Sequence, residues 1–192
     1  VDSNSAMIAQ QLGALGIGVY RKVTVGDDAP LLQTELAAMV ATADLVIVNG
    51  GLGPTIDDLT AAILAAVAGV PLKENPQAVA HLQQWCARRN LQLNAANLKQ
   101  AMLPAGATLI DNPVGSAVGF EMTLGKCRVI CTPGVPGELR PMLDAILADL
   151  AARLQRPMER HILRLQTFGL GESTAQQLIT DNLPDWPPEV EL

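Results

Sequence analysis

Asp44-Leu45-Val46-Ile47-Val48-Asn49-Gly50-Gly51-Leu52-Gly53-Pro54-Thr55-Ile56-Asp57-Asp58-Leu59-Thr60 is the stretch that decides the fold. Residues 45–48 form a short apolar run closed by turn residues, the pattern of a buried strand. Leu59 to Val70 is an Ala-rich run of helical character. The order is strand, glycine loop, helix, which aims backbone N–H groups and a helix N-terminus at whatever sits over the loop and so favours an anion. The three glycines let the backbone approach a ligand closely. Asp57 and Asp58 at the helix start would repel a bare phosphate, and a divalent cation held between carboxylate and phosphate, Mg²⁺ or similar, removes that conflict. The loop is thus a candidate metal–phosphate site with Asp57 and Asp58 as metal ligands. A second reading stays open: a tight strand-to-helix turn whose acids complement the helix dipole. Other phosphate motifs fit poorly. No lysine lies from Asn49 to Thr60, against a Walker A loop, and a dinucleotide fingerprint through Gly51 and Gly53 would put its third small residue at Ile56.

Toward the N-terminus, Asp2, Ser3 or Asn4 can cap a helix whose periodic apolar residues include Ile8 and Leu12 and which Gly13 and Gly16 end. Ile17 to Val25 reads as a strand, Gly26 to Pro30 as a turn, and Leu31 to Thr42 as a helix. Helix, strand, helix, strand, helix implies right-handed crossovers and a parallel sheet. Such a sheet usually has a strand ahead of its first helix, so an N-terminal strand is expected to be missing from this chain.

Toward the C-terminus, Gln77 to Asn90 reads as a helix, Asn94 to Met102 as a short helical piece and Thr108 to Ile110 as a strand. Val118 to Met122 and Cys127 to Cys131 form a hairpin around Leu124-Gly125-Lys126. Thr132 to Glu138 is a loop that starts a helix running to about Leu154. If the strands at 45–48, 108–110 and 127–131 run parallel, the loops at 49–58, 112–116 and 132–138 all leave the carboxyl edge of one sheet, where open α/β sheets bind ligands. Asp57, Asp58, Glu138, Asn112 and Ser116 would then converge; the other reading is that each loop is only a good turn. After Arg156-Pro157 the pattern changes: a strand over 160–167, a loop and cap to Ser173, and a helix from Thr174 to Ile179. A boundary near 156–159 divides the chain into residues 1–157 and 158–192, the second too short to hold its own core.

Hydrophobic residues make up 49% and charged residues 17%, enough for a sizeable core and against global disorder. The net charge of −6, without a basic stripe, argues against nucleic acid as partner. The three cysteines Cys86, Cys127 and Cys131 give neither a disulfide framework nor zinc spacing and read as core residues. His81 and His161 stand alone. Ala61 to Leu72, the longest apolar stretch, is too short to span a bilayer, and a cytoplasmic location is the default.

At its loops the sequence resembles the CinA family, whose N-terminal domain has the fold of the molybdopterin-binding MoaB/Mog proteins. The resemblance rests on Asp2-Ser3-Asn4, Val25-Gly26-Asp27, Gly50-Gly51-Leu52-Gly53-Pro54-Thr55 with Asp57-Asp58-Leu59-Thr60, and Lys99-Gln100-Ala101. It continues through Asn112-Pro113-Val114-Gly115-Ser116-Ala117, Pro133-Gly134-Val135-Pro136 with Glu138, and Thr167-Phe168-Gly169 with Glu172-Ser173. It implies a three-layer α/β/α domain with a mostly parallel sheet that lacks the family's first strand, followed by the start of a small α+β middle domain; the family's C-terminal deamidase domain is not expected here. It also implies metal-dependent hydrolysis of ADP-ribose to AMP and ribose 5-phosphate. The implied catalytic residues are Asp57, Asp58 and Glu138, with Asp57 and Asp58 holding the metal. Gly50, Gly51, Leu52, Gly53, Pro54, Thr55, Lys99, Asn112, Gly115, Ser116, Pro133 and Gly134 would bind the nucleotide. Fold relatives are oligomers, so self-association is expected. Asn49 stands where threonine is common in the family, and Val118 where a small residue or proline is usual. Pterin or nucleotide binding, or a non-catalytic oligomeric module, would use the same loops.

Overall fold

A computed structural model describes residues 2–154, 166–183, 185 and 187. The chain divides into two compact units, 1–160 and 161–192. In the first, α1 (Ser3–Ala14) is capped by Asp2, whose carboxylate accepts from the Ser5 amide, and α2 (Ala29–Thr42) by Asp28, which accepts from the Leu31 amide. β1 (Leu45–Asn49) leads through the glycine loop into α3 (Thr60–Ala68), which Gly69 ends in the left-handed conformation. Next come β2 (Leu72–Glu74), α4 (Pro76–Arg88), α5 (Ala95–Leu98), a 3₁₀ turn (Lys99–Ala101) and β3 (Met102–Pro104). β4 (Thr108–Ile110), β5 (Gly119–Leu124), β6 (Cys127–Thr132) and α6 (Pro136–Arg153) complete the unit. The second unit has one described helix, α7 (Glu172–Asn182), where sequence reading placed it. Most of the strand expected at 160–167 lies outside the described residues.

The main sheet has the order β1-β6-β5-β4, and a two-stranded ribbon pairs β2 with β3. β1 runs parallel to β6, in register from Leu45 opposite Arg128 to Asn49 opposite Thr132. β5 is antiparallel to both β6 and β4, so a mostly parallel sheet holds for strand direction but not for pairing. The tight hairpin through Gly125 (φ +59°) inserts β5 backwards between two co-directional strands. β1, β6 and β4 still point the same way, and the loops after Asn49, Ile110 and Thr132 leave one edge, as the sequence predicts.

Helices cover both faces of the sheet, giving the three layers. Strand alternation sorts the core: Val46, Cys127, Val129 and Cys131 pack with α2, α3 and α4, while Leu45, Ile47 and Ile130 pack with α1 and α6. The cysteines are core residues, and burial pushes the Cys131 thiol pKa upward. On the α6 side, Arg128 bridges Glu121 and Asp149, tying β6 and β5 to the helix.

The strand expected over 17–25 does not form. These residues have no strand pairing, and Val19 and Tyr20 are exposed. A strand needs a partner ladder, and among the described residues nothing pairs with the outer edge of β1. A cleft of about 660 Å³ is lined by both 17–25 and 44–49. No helix among the described residues is long and apolar enough to cross a membrane.

Candidate functional site

The glycine loop is held from three directions. The Gly50 amide donates to Thr132 O at 2.8 Å, so the ladder between β1 and β6 runs one residue into the loop. Thr60, first residue of α3, donates from Oγ1 to Gly50 O at 2.8 Å and from its amide to Gly51 O at 3.1 Å. Gly50 (φ +106°) and Gly51 (φ +68°) have backbone angles that L side chains rarely adopt. At Gly51 a Cβ would also collide with Thr60 Oγ1, and at Gly53 it would lie 2.5 Å from Asp58 Oδ2. Gly51 and Gly53 therefore make room for the protein's own Thr60 and Asp58.

Asp57 and Asp58 part company. Asp58 Oδ2 accepts from the Thr55 amide at 2.9 Å and from Thr55 Oγ1 at 2.6 Å, locking the loop, while Leu59, the N-cap of α3, gives no side-chain hydrogen bond. Partial burial works to raise the Asp58 pKa, but the Thr55 hydrogen bonds, with Gly53 and Lys99 adding to them, bring it below the usual carboxylate range. Lys99 Nζ donates to Thr55 O, bracing the loop from the 3₁₀ turn. Asp58 and Lys99 line a small hollow of about 50 Å³. Asp57 is exposed and lines the large cleft with Gly50, Gly51 and Thr60. Among the described residues no three His, Cys, Asp or Glu side chains come together as a metal-binding group. Asp58 is thus taken up in loop packing and lines a different hollow from Asp57.

The second loop is organised around Asn112, which is fully buried. Its Oδ1 accepts from the amides of Val114 (3.1 Å) and Gly115 (2.9 Å), and its Nδ2 donates to Ala117 O (2.7 Å) and Glu138 Oε2 (2.8 Å). All four hydrogen-bonding positions of the amide are spent. The expectation that Asn112 touches ribose or phosphate is corrected: it shapes the loop from within. Glu138, in the first turn of α6, presses its carboxylate on Gly115, where any Cβ would collide with it. Glu138 thus joins the second loop to the third and is not grouped with Asp57 and Asp58. Ser116 Oγ accepts from Gln100 Nε2 at 3.1 Å. Pro133 is buried and Gly134 exposed, and a Cβ on Gly134 would stand 3.3 Å from Gly50 Cα, so the first and third loops touch backbone to backbone.

Sequence reading passed over the residues that hold the second loop from outside. His81, Trp85 and Arg89 lie at i, i+4 and i+8 along α4 and its C-cap, one stripe of the helical surface. His81 Nε2 meets Gly115 O at 2.9 Å, and Trp85 Nε1 and Arg89 Nη2 both donate to Val114 O at 3.3 Å. Arg89 stacks over the Trp85 ring, 4.3 Å from its centroid. The i, i+4, i+8 spacing was legible, but a helical pattern alone does not say which loop its stripe meets.

Comparison with known proteins places these features in a lineage. Residues 1–153 match the family described as "Probable molybdopterin binding domain". A CinA-like protein of Colwellia psychrerythraea is 50% identical over 193 residues, covering 100% of this chain and 45% of its own length. One from Citrifermentans bemidjiense is 40% identical, covering 98% of this chain and 45% of its own. The chain thus spans less than half the length of these relatives. Among solved structures, the protein CinA "with unknown function" from Thermoplasma acidophilum superposes with a TM-score of 0.72 at 34% identity, over 78% of this chain and 88% of that one. MoaB of Thermus thermophilus superposes with a TM-score of 0.50 at 20% identity, over 78% and 80%, a likeness of fold alone.

Proposed function

Because the chain belongs to the CinA family, with its molybdopterin-binding type of domain over residues 1–153, we propose that it hydrolyses a nucleoside diphosphate sugar, ADP-ribose, to AMP and ribose 5-phosphate with the help of a divalent metal. The observation that carries this reading is the backbone of Gly50 and Gly51, both left-handed, at the carboxyl edge of the sheet and in contact with Gly134. Of the loop amides, Gly50 is spent on Thr132 and Thr55 on Asp58. Among the described residues no backbone acceptor takes those of Gly51 and Leu52, and these are the donors offered to a phosphate oxygen.

The donor set suits Mg²⁺ in one way only. Magnesium commonly uses one or two carboxylates and takes its other ligands from substrate phosphates and water. Asp57, which lines the same cleft as Gly50 and Gly51, meets that need, while the described residues offer no all-protein cage. When bound, such an ion offsets diphosphate charge and acidifies a water. The protein's own part is placement. Asp58 and Lys99 fix Thr55, Asn112 and Glu138 fix the second loop, and the Ser116 hydroxyl and the Gly134 amide offer polar groups to ribose or phosphate. The water oxygen adds to one phosphorus as the bridging P–O bond breaks, and its proton leaves to solvent. The same reading takes the chain as a self-associating cytoplasmic protein acting on a small phosphorylated nucleotide.

The test is ADP-ribose hydrolysis with and without Mg²⁺, following AMP and ribose 5-phosphate. Metal-dependent product that falls at least about a hundredfold in Asp57→Ala supports the reading. A folded protein that forms no product with several divalent metals overturns it. Tight binding of a pterin without turnover would then favour the second reading, suggested by the family's description: a pterin- or nucleotide-binding domain on the same loops.

A further inference from the structure

The first and third loops leave adjacent strands, and no covalent link fixes their separation. Two asparagines bridge them. Asn49, last residue of β1, sits opposite Thr132 in the ladder. Its Nδ2 donates to Thr132 Oγ1 at 3.1 Å and to Pro133 O at 2.7 Å. Its Oδ1 accepts at 2.8 Å from Nδ2 of Asn4, in the first turn of α1. The same Asn4 Nδ2 donates at 2.8 Å to Gly134 O. One amide group of α1 thus holds the side chain that opens the first loop and a carbonyl of the third.

The orientation of Asn4 is dictated by this task. The side chain is buried, and its Oδ1 has no hydrogen-bond partner among the described residues. Flipping the amide would face that oxygen against Asn49 Oδ1 and Gly134 O, so the orphaned oxygen is the cost of a nitrogen that serves both loops. Threonine at 49 has a single hydroxyl and cannot reproduce the set. It cannot give two hydrogens to Thr132 and Pro133 while accepting from Asn4.

We propose that Asn49 and Asn4 are positioning residues that set the separation of the Gly50–Gly51 and Pro133–Gly134 loops and thereby the affinity of this edge for a diphosphate. The proposal rests on the reading of these loops as a diphosphate seat, not on hydrolysis. Neither asparagine needs to touch the ligand. Both act through Gly50, whose amide is already fixed on Thr132 and whose Cα abuts Gly134.

The experiment uses the full chain and three variants, Asn49→Thr, Asn4→Ala and the double substitution. The readouts are backbone amide NMR shifts and inorganic pyrophosphate affinity by calorimetry with Mg²⁺. The amides of Gly50, Gly51 and Gly134 should shift in all three variants, while that of Gly125 in the hairpin turn stays put. Pyrophosphate should bind about tenfold more weakly in each, and the double variant no worse than either single, because one network is broken in every case. If ADP-ribose is turned over, KM should rise by a like factor with kcat within about threefold. Unchanged pyrophosphate affinity in well-folded variants, independent additive losses, or a native chain that does not bind pyrophosphate would overturn the proposal. A native chain that binds pyrophosphate with the expected pattern but leaves ADP-ribose intact would uphold it while removing hydrolysis.

Discussion

Replacing Asn112 by aspartate is the most discriminating test of how the second loop is built. The side chain keeps its shape, and one oxygen can still accept from the amides of Val114 and Gly115. The other end changes from a donor of two hydrogens to an oxygen facing Ala117 O and Glu138 Oε2, now 2.7 Å and 2.8 Å from Nδ2. An ordinary hydrogen bond contributes about 1 kcal/mol and one to a charged acceptor about 1.5–3 kcal/mol, so Asn112→Asp should cost about 2.5–4 kcal/mol at pH 7. For a chain of this size that is a fall in Tm of roughly 10 °C. Asn112 is fully buried, so a carboxyl placed there is cut off from water and takes up a proton more readily than in the unfolded chain. That raises a folded-state carboxyl pKa above its unfolded value. The raised group binds a proton on folding, so the deficit should shrink as pH falls from 7 toward 5. Asn112→Ala loses all four bonds and adds no charge, so its deficit should not ease in this way. Urea denaturation followed by circular dichroism at both pH values measures this. An Asn112→Asp protein within about 1 kcal/mol of the native one at pH 7, or a deficit equal at both pH values, would refute the reasoning.

Two further outcomes concern charges that the fold uses. Asp58 has a folded-state pKa below its unfolded value, so its stabilising effect is present above about pH 4 and disappears as pH falls through the folded value. Asp58→Asn should cost about 1 kcal/mol at pH 7, with the difference from the native protein closing as pH falls through the lowered folded-state value, in urea midpoints measured from pH 7 downward. Arg128 joins Glu121 and Asp149 while largely shielded from solvent, so Arg128→Met should destabilise by about 2 kcal/mol and Glu121→Gln in the same background should recover part of it, read as a double-mutant cycle.

The edge that carries the loops was legible because its signals are local. A strand-length apolar run, a glycine cluster and a helix start put the 49–58 loop at the carboxyl end of β1, and similar patterns placed the loops after Ile110 and Thr132. The hairpin between β5 and β6 was legible for the same reason. What failed was what depends on partners. Ile17 to Val25 has strand composition but no ladder among the described residues. Adjacent Asp57 and Asp58 look alike in one dimension, and only the folded loop shows that Thr55 binds one of them. Asn112 reads as a polar loop residue open to a ligand, and only burial reveals that its four hydrogen-bonding positions are filled from inside. A glycine read as space for a ligand proved at residue 115 to be space for a glutamate.

The outer edge of β1 carries one more consequence. Strand edges display backbone donors and acceptors in a repeating row that any extended chain can match, and proteins commonly blunt such rows with short strands, charges or prolines. Leu45 to Asn49 is short but carries neither charge nor proline; it is apolar until its last residue, and the cleft beside it is about 660 Å³. An extended chain laid along this row would lengthen the sheet past β1 and fill the cleft that Asp57 lines.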